Sequence, residues 1–299
     1  MSESGSRAGC EVIDVIEQLA VGIDGSHASF EALDQAIMVA KRLQSALKCV
    51  FVVDSRKTQV PIVYSGGAFD ISTERIYLPL DPNLREYYGK IAEDLREFGA
   101  NCLRFCAKRA GDSDLKITTI VREGYPAAEL CEECRSADIL IVGQKGENAH
   151  YKRSIVGSTT EDLVRTSPRP VQVVPVHRES LDRVMFVYDG SRTAENALRF
   201  YVNALGNVAR SFEVALVSDD QSVALPDEEI EFLKQHGVPV ELPNRDRVSL
   251  DSVLQGIETR GTDMILVGAY GRKKMLELIL GSTASRLIRR STVPVLVVY

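Results

Sequence analysis

Short apolar runs alternate with amphipathic stretches along most of the chain. Residues 139–142 and 265–267 are apolar at every successive position, which predicts strands that are covered on both faces. The stretches between such runs carry apolar residues at helical spacing and predict helices. Because strands and helices alternate, we expect a parallel sheet with helices on both of its faces.

The first half of the chain contains five predicted strands and four predicted helices. The strands are predicted at residues 19–23, 48–53, 116–122, 139–142 and 171–176. The helices are predicted at residues 29–43, 84–109, 127–135 and 159–166. The second half follows the same order from Arg183 onward.

Three motifs of the first half recur in the second half in the same order, which indicates duplication of a whole domain. The sequence Asp-Gly-Ser begins at Asp24 and again at Asp189, and an apolar run ends at Gly143 and again at Gly268. A third motif recurs with identical residues 124 positions later, at Gly157, Ser158, Thr159, Leu163, Arg165, Ser167, Pro170, Val171, Val173 and Val174.

The repeat predicts two domains, domain 1 in the first half of the chain and domain 2 in the second half. The Asp-Gly-Ser motifs lie 165 positions apart, whereas the last motifs lie 124 apart. Domain 1 therefore carries extra residues, which we place at about 55–83. Loops of this length are uncommon and often form lids or interfaces.

The spacing of glycines in the second half predicts a phosphate site. Gly268 and Gly271 follow a strand, and Gly281-Ser282-Thr283 opens a helix after nine further residues. Glycines let the backbone approach a phosphate, and the start of a helix favours anions. In open α/β sheets, ligands bind beyond the carboxyl ends of the strands, where these glycines are expected to lie. Positive charge between the glycines comes from Arg272, Lys273 and Lys274.

An ordinary structural role is the alternative for each of these residues. Glycine followed by serine suits a capped turn between strand and helix, and Asp189 can cap the turn that follows its own strand. In a nucleotide site, Asp189 would instead accept a hydrogen bond from an adenine amino group or a ribose hydroxyl. The two roles of Asp189 are compatible.

The first half departs from this spacing. Its corresponding residues are Gly143, Gly146, Gly157, Ser158 and Thr159, with ten residues rather than nine before Gly157. Glu147 replaces the basic Arg272, and a carboxylate beside phosphates is unfavourable unless Lys145, Lys152, Arg153 or a metal offsets it. We therefore expect the second site to be the more complete one.

These motifs resemble the universal stress protein family in its tandem form. The family's nucleotide motif is glycine, two residues, glycine, nine residues, and glycine followed by Ser or Thr, and Gly268, Gly271, Gly281 and Ser282 match it. The Asp-Gly-Ser motif and the closing Pro-Val-x-Val-Val strand are similar as well. The resemblance covers about residues 17–178 and 182–299.

The resemblance implies two five-stranded parallel sheets with a Rossmann-like fold of the adenine nucleotide α-hydrolase type. It implies binding of ATP or AMP, with or without Mg²⁺. Adenine contacts are implied at Asp189 and the main chain of Val217, and correspondingly at Asp24 and Val52. The last strands of the two domains are expected to pair within the chain, which would cover two exposed edges, and a homodimer is a further possible assembly.

Four cysteines form two helical pairs, Cys102 with Cys106 and Cys131 with Cys134. If the two helices share one face of the sheet, the four thiols converge as a zinc site. The alternative is that they are small, partly buried core residues. The histidines His27, His150, His177 and His236 follow no ligand spacing, although His27 and His150 could flank the first site.

Composition narrows the functional classes. The 299 residues are 44% apolar and carry a formal net charge of −6 without a long basic run, so nucleic acid is not an expected partner. No apolar run approaches the roughly 20 residues of a membrane helix. Residues 1–9 lack a signal-peptide pattern and are expected to form a disordered lead. We expect a cytoplasmic protein with reduced cysteines.

Three functions remain open. The first is a nucleotide-binding stress or regulatory protein with at most slow hydrolysis. The second is an enzyme that cleaves ATP or forms an adenylate, although no catalytic constellation stands out in the sequence. The third is a dimerisation scaffold whose nucleotide sites are vestigial.

Overall fold

The structure is a computed structural model that describes residues 15–59, 69–70, 75–76, 82–111, 115–146, 156–206, 208–218, 223–241, 247–271 and 280–299. Its strands are β1 (Gln18–Ile23), β2 (Ala46–Asp54), β3 (Phe69–Asp70), β4 (Arg75–Ile76), β5 (Ile117–Gly124), β6 (Ile139–Gly143), β7 (Val171–Val174), β8 (Arg183–Tyr188), β9 (Ser211–Leu216), β10 (Val240–Glu241), β11 (Met264–Gly268) and β12 (Val295–Val298).

The described helices are α1 (His27–Leu43), α2 (Ser55–Thr58), α3 (Pro82–Gly111), α4 (Pro126–Cys134), α5 (Ser158–Thr166), α6 (Arg192–Leu205), α7 (Asp227–Gln235), α8 (Leu250–Arg260) and α9 (Ser282–Arg290). None of them is long and apolar enough to cross a membrane.

Ten strands form one sheet in the order β10-β9-β8-β11-β12-β7-β6-β1-β2-β5. The five strands that repeat 1 contributes (β1, β2, β5, β6 and β7) are parallel to one another, and so are the five of repeat 2 (β8 to β12). The two repeats meet through β7 and β12, which pair antiparallel with Val297 opposite Val171. The predicted α/β class and the pairing of the two last strands are confirmed.

Alternate residues of the central strands face two separate helical layers. Leu19 and Val21 of β1 belong to a buried cluster that includes residues of α1, α3, α6 and α7. Ala20 belongs to a second cluster with residues of α4, α5, α8 and α9. Both clusters extend across the two repeats, so the ten strands lie between two continuous apolar layers.

The segment joining the repeats is held against α1. The backbone N–H of His177 donates to Glu31 Oε2 at 2.8 Å, and His177 Nδ1 lies 2.5 Å from the same oxygen. Arg178 N–H donates to Oε1 of the buried Gln35 at 2.8 Å. His27 Nε2 lies 3.6 Å from Glu31 Oε1, although the His27 side chain is mostly exposed. These hydrogen bonds hold the segment before β8 against α1.

The insertion in repeat 1 contains regular structure that the sequence pattern does not predict. It begins with the single helical turn α2, and a two-residue hairpin of β3 and β4 lies further along. Residues 60–68, 71–74 and 77–81 of the insertion lie outside the described residues, as do residues 1–9. Helix α3 follows with 30 residues, whereas its counterpart α7 has nine.

Candidate functional site

The Asp-Gly-Ser motif forms the same turn in both repeats. Gly25 has a φ of +82° and Gly190 a φ of +75°, a conformation that favours glycine. Asp24 Oδ1 accepts the Ser26 N–H at 2.9 Å, and Asp189 Oδ1 accepts the Ser191 N–H at 3.0 Å. The capping role of both aspartates is therefore present.

The same carboxylates also face the glycine loops that follow β6 and β11. A Cβ atom added to Gly146 would lie 3.0 Å from Asp24 Oδ2, and one added to Gly271 would lie 3.3 Å from Asp189 Oδ2. One oxygen of each aspartate thus orders its own turn, and the other points towards the predicted phosphate loop. The predicted dual role is geometrically compatible.

Each glycine loop closes onto the start of the next helix. Gly157 N–H donates to the Gln144 carbonyl at 2.9 Å, and Gly281 N–H donates to the Ala269 carbonyl at 2.8 Å. A Cβ atom on Gly157 would lie 3.2 Å from the Gly146 nitrogen. The extra residue of repeat 1 therefore leaves this closing contact intact.

Helices α5 and α9 begin without a side-chain cap. Their N-cap residues are Gly157 and Gly281, and no side-chain hydrogen bond caps either end within the described chain. The N–H of Glu161 donates to the Gly157 carbonyl at 3.0 Å, so the N–H groups of residues 158–160 precede the first bond of the helix. Such a helix start suits an anionic ligand.

A cavity at the carboxyl ends of β1, β2 and β6 brings together the predicted residues of repeat 1, and we call it site 1. The predicted residues that line it are Asp24, Val52, Gly143, Gly146, Gly157, Ser158 and Thr159. Lys145 also lines it, whereas Glu147, His150, Lys152 and Arg153 lie outside the described residues. A turn, a glycine loop and an uncapped helix start therefore surround one space.

Several residues that line this cavity were not predicted from the sequence. Arg56 and Lys57 reach the cavity from α2, and Phe98 reaches it from α3. The Asp54 carboxylate accepts from Arg56 Nε at 2.8 Å and from Arg56 Nη2 at 2.6 Å. Burial raises the pKa of Asp54, but the hydrogen bonds from Arg56 outweigh it and lower that pKa. The Arg56-Lys57 pair directly after β2 is the sequence signal that could have indicated positive charge beside the cavity.

Phe98 is fixed against the Asp-Gly-Ser turn. Its ring lies edge-on to Phe51 with centroids 5.9 Å apart. A Cβ atom on Gly25 would lie 2.5 Å from Phe98 Cζ and 3.3 Å from Cys102 Sγ. Helix α3 therefore packs directly on the turn that carries Asp24.

We call the corresponding residues of repeat 2 site 2. Val217 follows β9, and its N–H donates to the Tyr188 carbonyl at 2.9 Å. Ser282 and Thr283 open α9, while Arg272, Lys273 and Lys274 lie outside the described residues. Burial raises the pKa of Tyr188 to about 12, and the charges of Glu195, Glu229 and Asp189 add to this effect.

The two cysteine pairs lie on opposite faces of the sheet, so the expectation that their helices share one face is wrong and the four thiols do not converge. Cys102 and Cys106 belong to the cluster beneath α1 and α3. Cys134 belongs to the cluster beneath α4 and α5, and Cys131 packs against it. Across the part of the chain that is described, no three His, Cys, Asp or Glu side chains are arranged to hold a metal ion.

Comparison with known proteins decides the family. The model of the universal stress protein family matches the chain twice, at residues 16–175 and 180–299. The chain belongs to the universal stress protein family. Its two repeats are therefore tandem copies of the family's domain.

Individual family members show how far the likeness extends. Universal stress protein Slr1230 of Synechocystis is 23% identical over 278 residues, which cover 91% of this chain and 96% of that protein. The crystal structure of a universal stress protein from Archaeoglobus fulgidus has a TM-score of 0.68 at 21% identity and covers 94% of this chain and 95% of its own. It supports the tandem fold.

One universal stress protein was solved in complex with cAMP; it is 20% identical to this chain, covers 53% of it and 96% of its own length, and has a TM-score of 0.33.

Proposed function

We propose that this universal stress protein binds an adenine nucleotide, ATP or AMP, at sites 1 and 2 and acts as a regulatory protein. The observation that carries the proposal is the convergence of the Asp24 turn, the loop from Gly143 to Gly146 and the uncapped start of α5 on one cavity. Each part supplies a different contact that a nucleotide requires.

The phosphates fit the end of the cavity that α5 forms. There the N–H groups of residues 158–160 and the hydroxyls of Ser158 and Thr159 are available as donors. Lys145, Arg56 and Lys57 line the same cavity and supply positive charge, and Arg56 is also paired with Asp54. Since ATP carries more charge than AMP, these cations favour the polyphosphate form.

The base fits the end formed by β2 and α4. Val52 lies at this end, and Leu130 and Pro126 line the cavity beside it with apolar surface. The Asp24 carboxylate also lines the cavity and can accept a hydrogen bond from a base amino group or a ribose hydroxyl. This arrangement supports binding and positioning of the nucleotide, and the proposal requires no rapid hydrolysis.

The first experiment identifies the ligand and counts it. The purified protein is denatured, released small molecules are identified by mass spectrometry, and stripped protein is titrated with ATP and with AMP. We expect an adenine nucleotide and two equivalents per chain. Titration in EDTA tests whether Mg²⁺ takes part. A stripped protein that binds neither nucleotide would contradict the proposal and leave the scaffold function.

The second experiment assigns the sites. Gly281→Val should abolish binding at site 2 when Gly157→Val has already disabled site 1, because a branched side chain fills the space that the phosphate approaches. Gly89→Val is the matched control, since a Cβ atom on Gly89 meets nothing within 4 Å. Melting curves check that each variant is folded. Unchanged ATP affinity in the double variant would refute the assignment.

A further inference from the structure

The two candidate sites are connected by contacts that run from the loop of one site to the far end of the phosphate-binding helix of the other. Gln144 lies in the glycine loop of site 1, but its side chain is buried away from the cavity lining. Its Nε2 donates to the carbonyl of Ile288 at 2.7 Å. Ile288 lies near the end of α9, and α9 begins at site 2.

The reverse connection comes from Tyr270 in the glycine loop of site 2. Its hydroxyl donates to the carbonyl of Arg165 at 3.5 Å, near the end of α5. Tyr299 reinforces this contact, because its hydroxyl donates to the Val164 carbonyl at 2.9 Å and its ring lies 6.1 Å from that of Tyr270. Helix α5 begins at site 1, so the connection is reciprocal.

A third contact joins the two helices directly. Arg289 Nη2 in the last turn of α9 lies 2.6 Å from Glu161 Oε1 in the first turn of α5. Glu161 also lies four residues before Arg165 on the same helix and 3.9 Å from it. A shift of α5 at site 1 therefore moves the partner of a residue at the far end of α9.

We propose that the two sites are positively coupled through these contacts, so that nucleotide bound at one raises affinity at the other. This inference rests on the proposed function. A nucleotide that binds the loop of site 1 and the start of α5 restricts the motion of Gln144. Through the hydrogen bond from Gln144 to Ile288, it also restricts the motion of α9 before site 2 is filled. The first nucleotide has then already met part of the entropic cost of ordering the protein, so the second nucleotide binds more tightly.

The test is calorimetric titration of the full-length protein with ATP. The single-site variants Gly157→Val and Gly281→Val give the intrinsic affinity of each remaining site. In the wild type, we expect the second ATP to bind at least about fivefold more tightly than those intrinsic values. A Hill coefficient above 1 is expected in the same titration.

The contact itself is tested by Gln144→Leu, which keeps side-chain size and removes the donor. We expect its second binding step to fall to the intrinsic affinity, measured in the Gln144→Leu single-site variants. Gln255→Leu, an exposed residue of α8, is the matched control and should retain coupling. Arg289→Ala provides a second variant that weakens the link, and the wild-type titration decides the question even if Gln144→Leu does not fold.

The outcomes separate the two claims. Two equivalents that bind independently in the wild type, with the affinities of the single-site variants, would overturn the coupling and leave the proposed function standing. Binding of one equivalent or none would contradict the proposed pair of sites together with their coupling.

Discussion

The two repeats share a backbone turn beside the candidate site, and they differ in what packs behind it. In repeat 1, Phe98 and Cys102 of α3 press on Gly25. In repeat 2, the charges of Glu195 and Glu229 help to raise the pKa of Tyr188. Glu229 Oε1 is also paired with Arg199 Nη2 at 2.6 Å. The two Asp-Gly-Ser turns are alike, whereas the side chains near them differ.

This difference shows why glycine spacing alone does not rank the sites. Repeat 2 has the regular spacing, yet repeat 1 has Arg56, Lys57 and Lys145 around a cavity. The spacing specifies where a backbone can approach a phosphate, and the neighbouring side chains set the charge and shape that the ligand meets. Experiments on both repeats can separate these contributions.

The largest effect is expected where the repeats are most alike. A Cβ atom on Gly143 would lie 2.6 Å from the Ala28 carbonyl oxygen, and one on Gly268 would lie 2.5 Å from the Ala194 nitrogen. Because backbone must shift, Gly143→Ala and Gly268→Ala should each lower the free energy of unfolding by about 3 kcal/mol. Equilibrium urea unfolding measures this change.

The control for this prediction is a glycine in open surroundings. Gly89 lies within α3, and an added Cβ atom would contact nothing within 4 Å. Gly89→Ala should raise the free energy of unfolding by about 0.5–1 kcal/mol through helix propensity. Equal tolerance of alanine at Gly143 and Gly89 would show that the first glycine of each loop is not required by packing.

The order of the elements could be predicted from the sequence, but the faces of the sheet on which α3 and α4 pack could not. Apolar runs and glycine turns are local signals, so the strands and the turn at Asp24 follow from the residues themselves. The layer of a helix depends on strand order. Right-handed crossovers put α3, on the way from β2 to β5, and α4, on the way back from β5 to β6, on opposite faces.

The same reasoning explains which site residues were found. Gly143, Gly157 and Ser158 lie in motifs that repeat, and the structure places them around the cavity of site 1. Arg56 and Phe98 belong to the insertion and to the helix after it. Their approach to the cavity results from tertiary packing, which has no periodic signal in the sequence.

The second prediction tests one of the basic side chains that line site 1. Arg56→Ala should weaken ATP binding at site 1 by about tenfold, the amount expected for loss of one charge-assisted contact. Adenosine has no phosphates, so its affinity should change less. Titrations are made in the Gly281→Val background, with Arg85→Ala, an exposed substitution on α3, as control. Equal losses for ATP and adenosine would argue against a phosphate contact.

The third prediction concerns the joint between the repeats. The hydroxyl of Tyr299 donates to the Val164 carbonyl at 2.9 Å, and burial raises the pKa of this hydroxyl. Tyr299→Phe removes one part-buried hydrogen bond and should lower the free energy of unfolding by about 1 kcal/mol. Urea unfolding measures the change. An unchanged midpoint would mean that the contact does not stabilise the joint.

The smallest expected effect depends on pH and involves the segment between the repeats. Burial tends to raise the pKa of Glu31, but the hydrogen bonds from the His177 N–H and ring, with the charges of His177 and His27, bring it below the ordinary value of 4.5. A carboxylate with a lowered pKa stabilises the folded state above its unfolded pKa, and this contribution is lost as pH falls through the folded value.

Glu31→Gln should therefore lower the free energy of unfolding near neutral pH, by about half a kcal/mol for so accessible a partner. The difference from wild type should shrink as pH falls below about 4.5. Thermal unfolding of both proteins between pH 3 and pH 7 measures it, with Glu97→Gln on the exposed side of α3 as control. A difference that stays constant across this range would show that Glu31 acts through its shape and not through its charge.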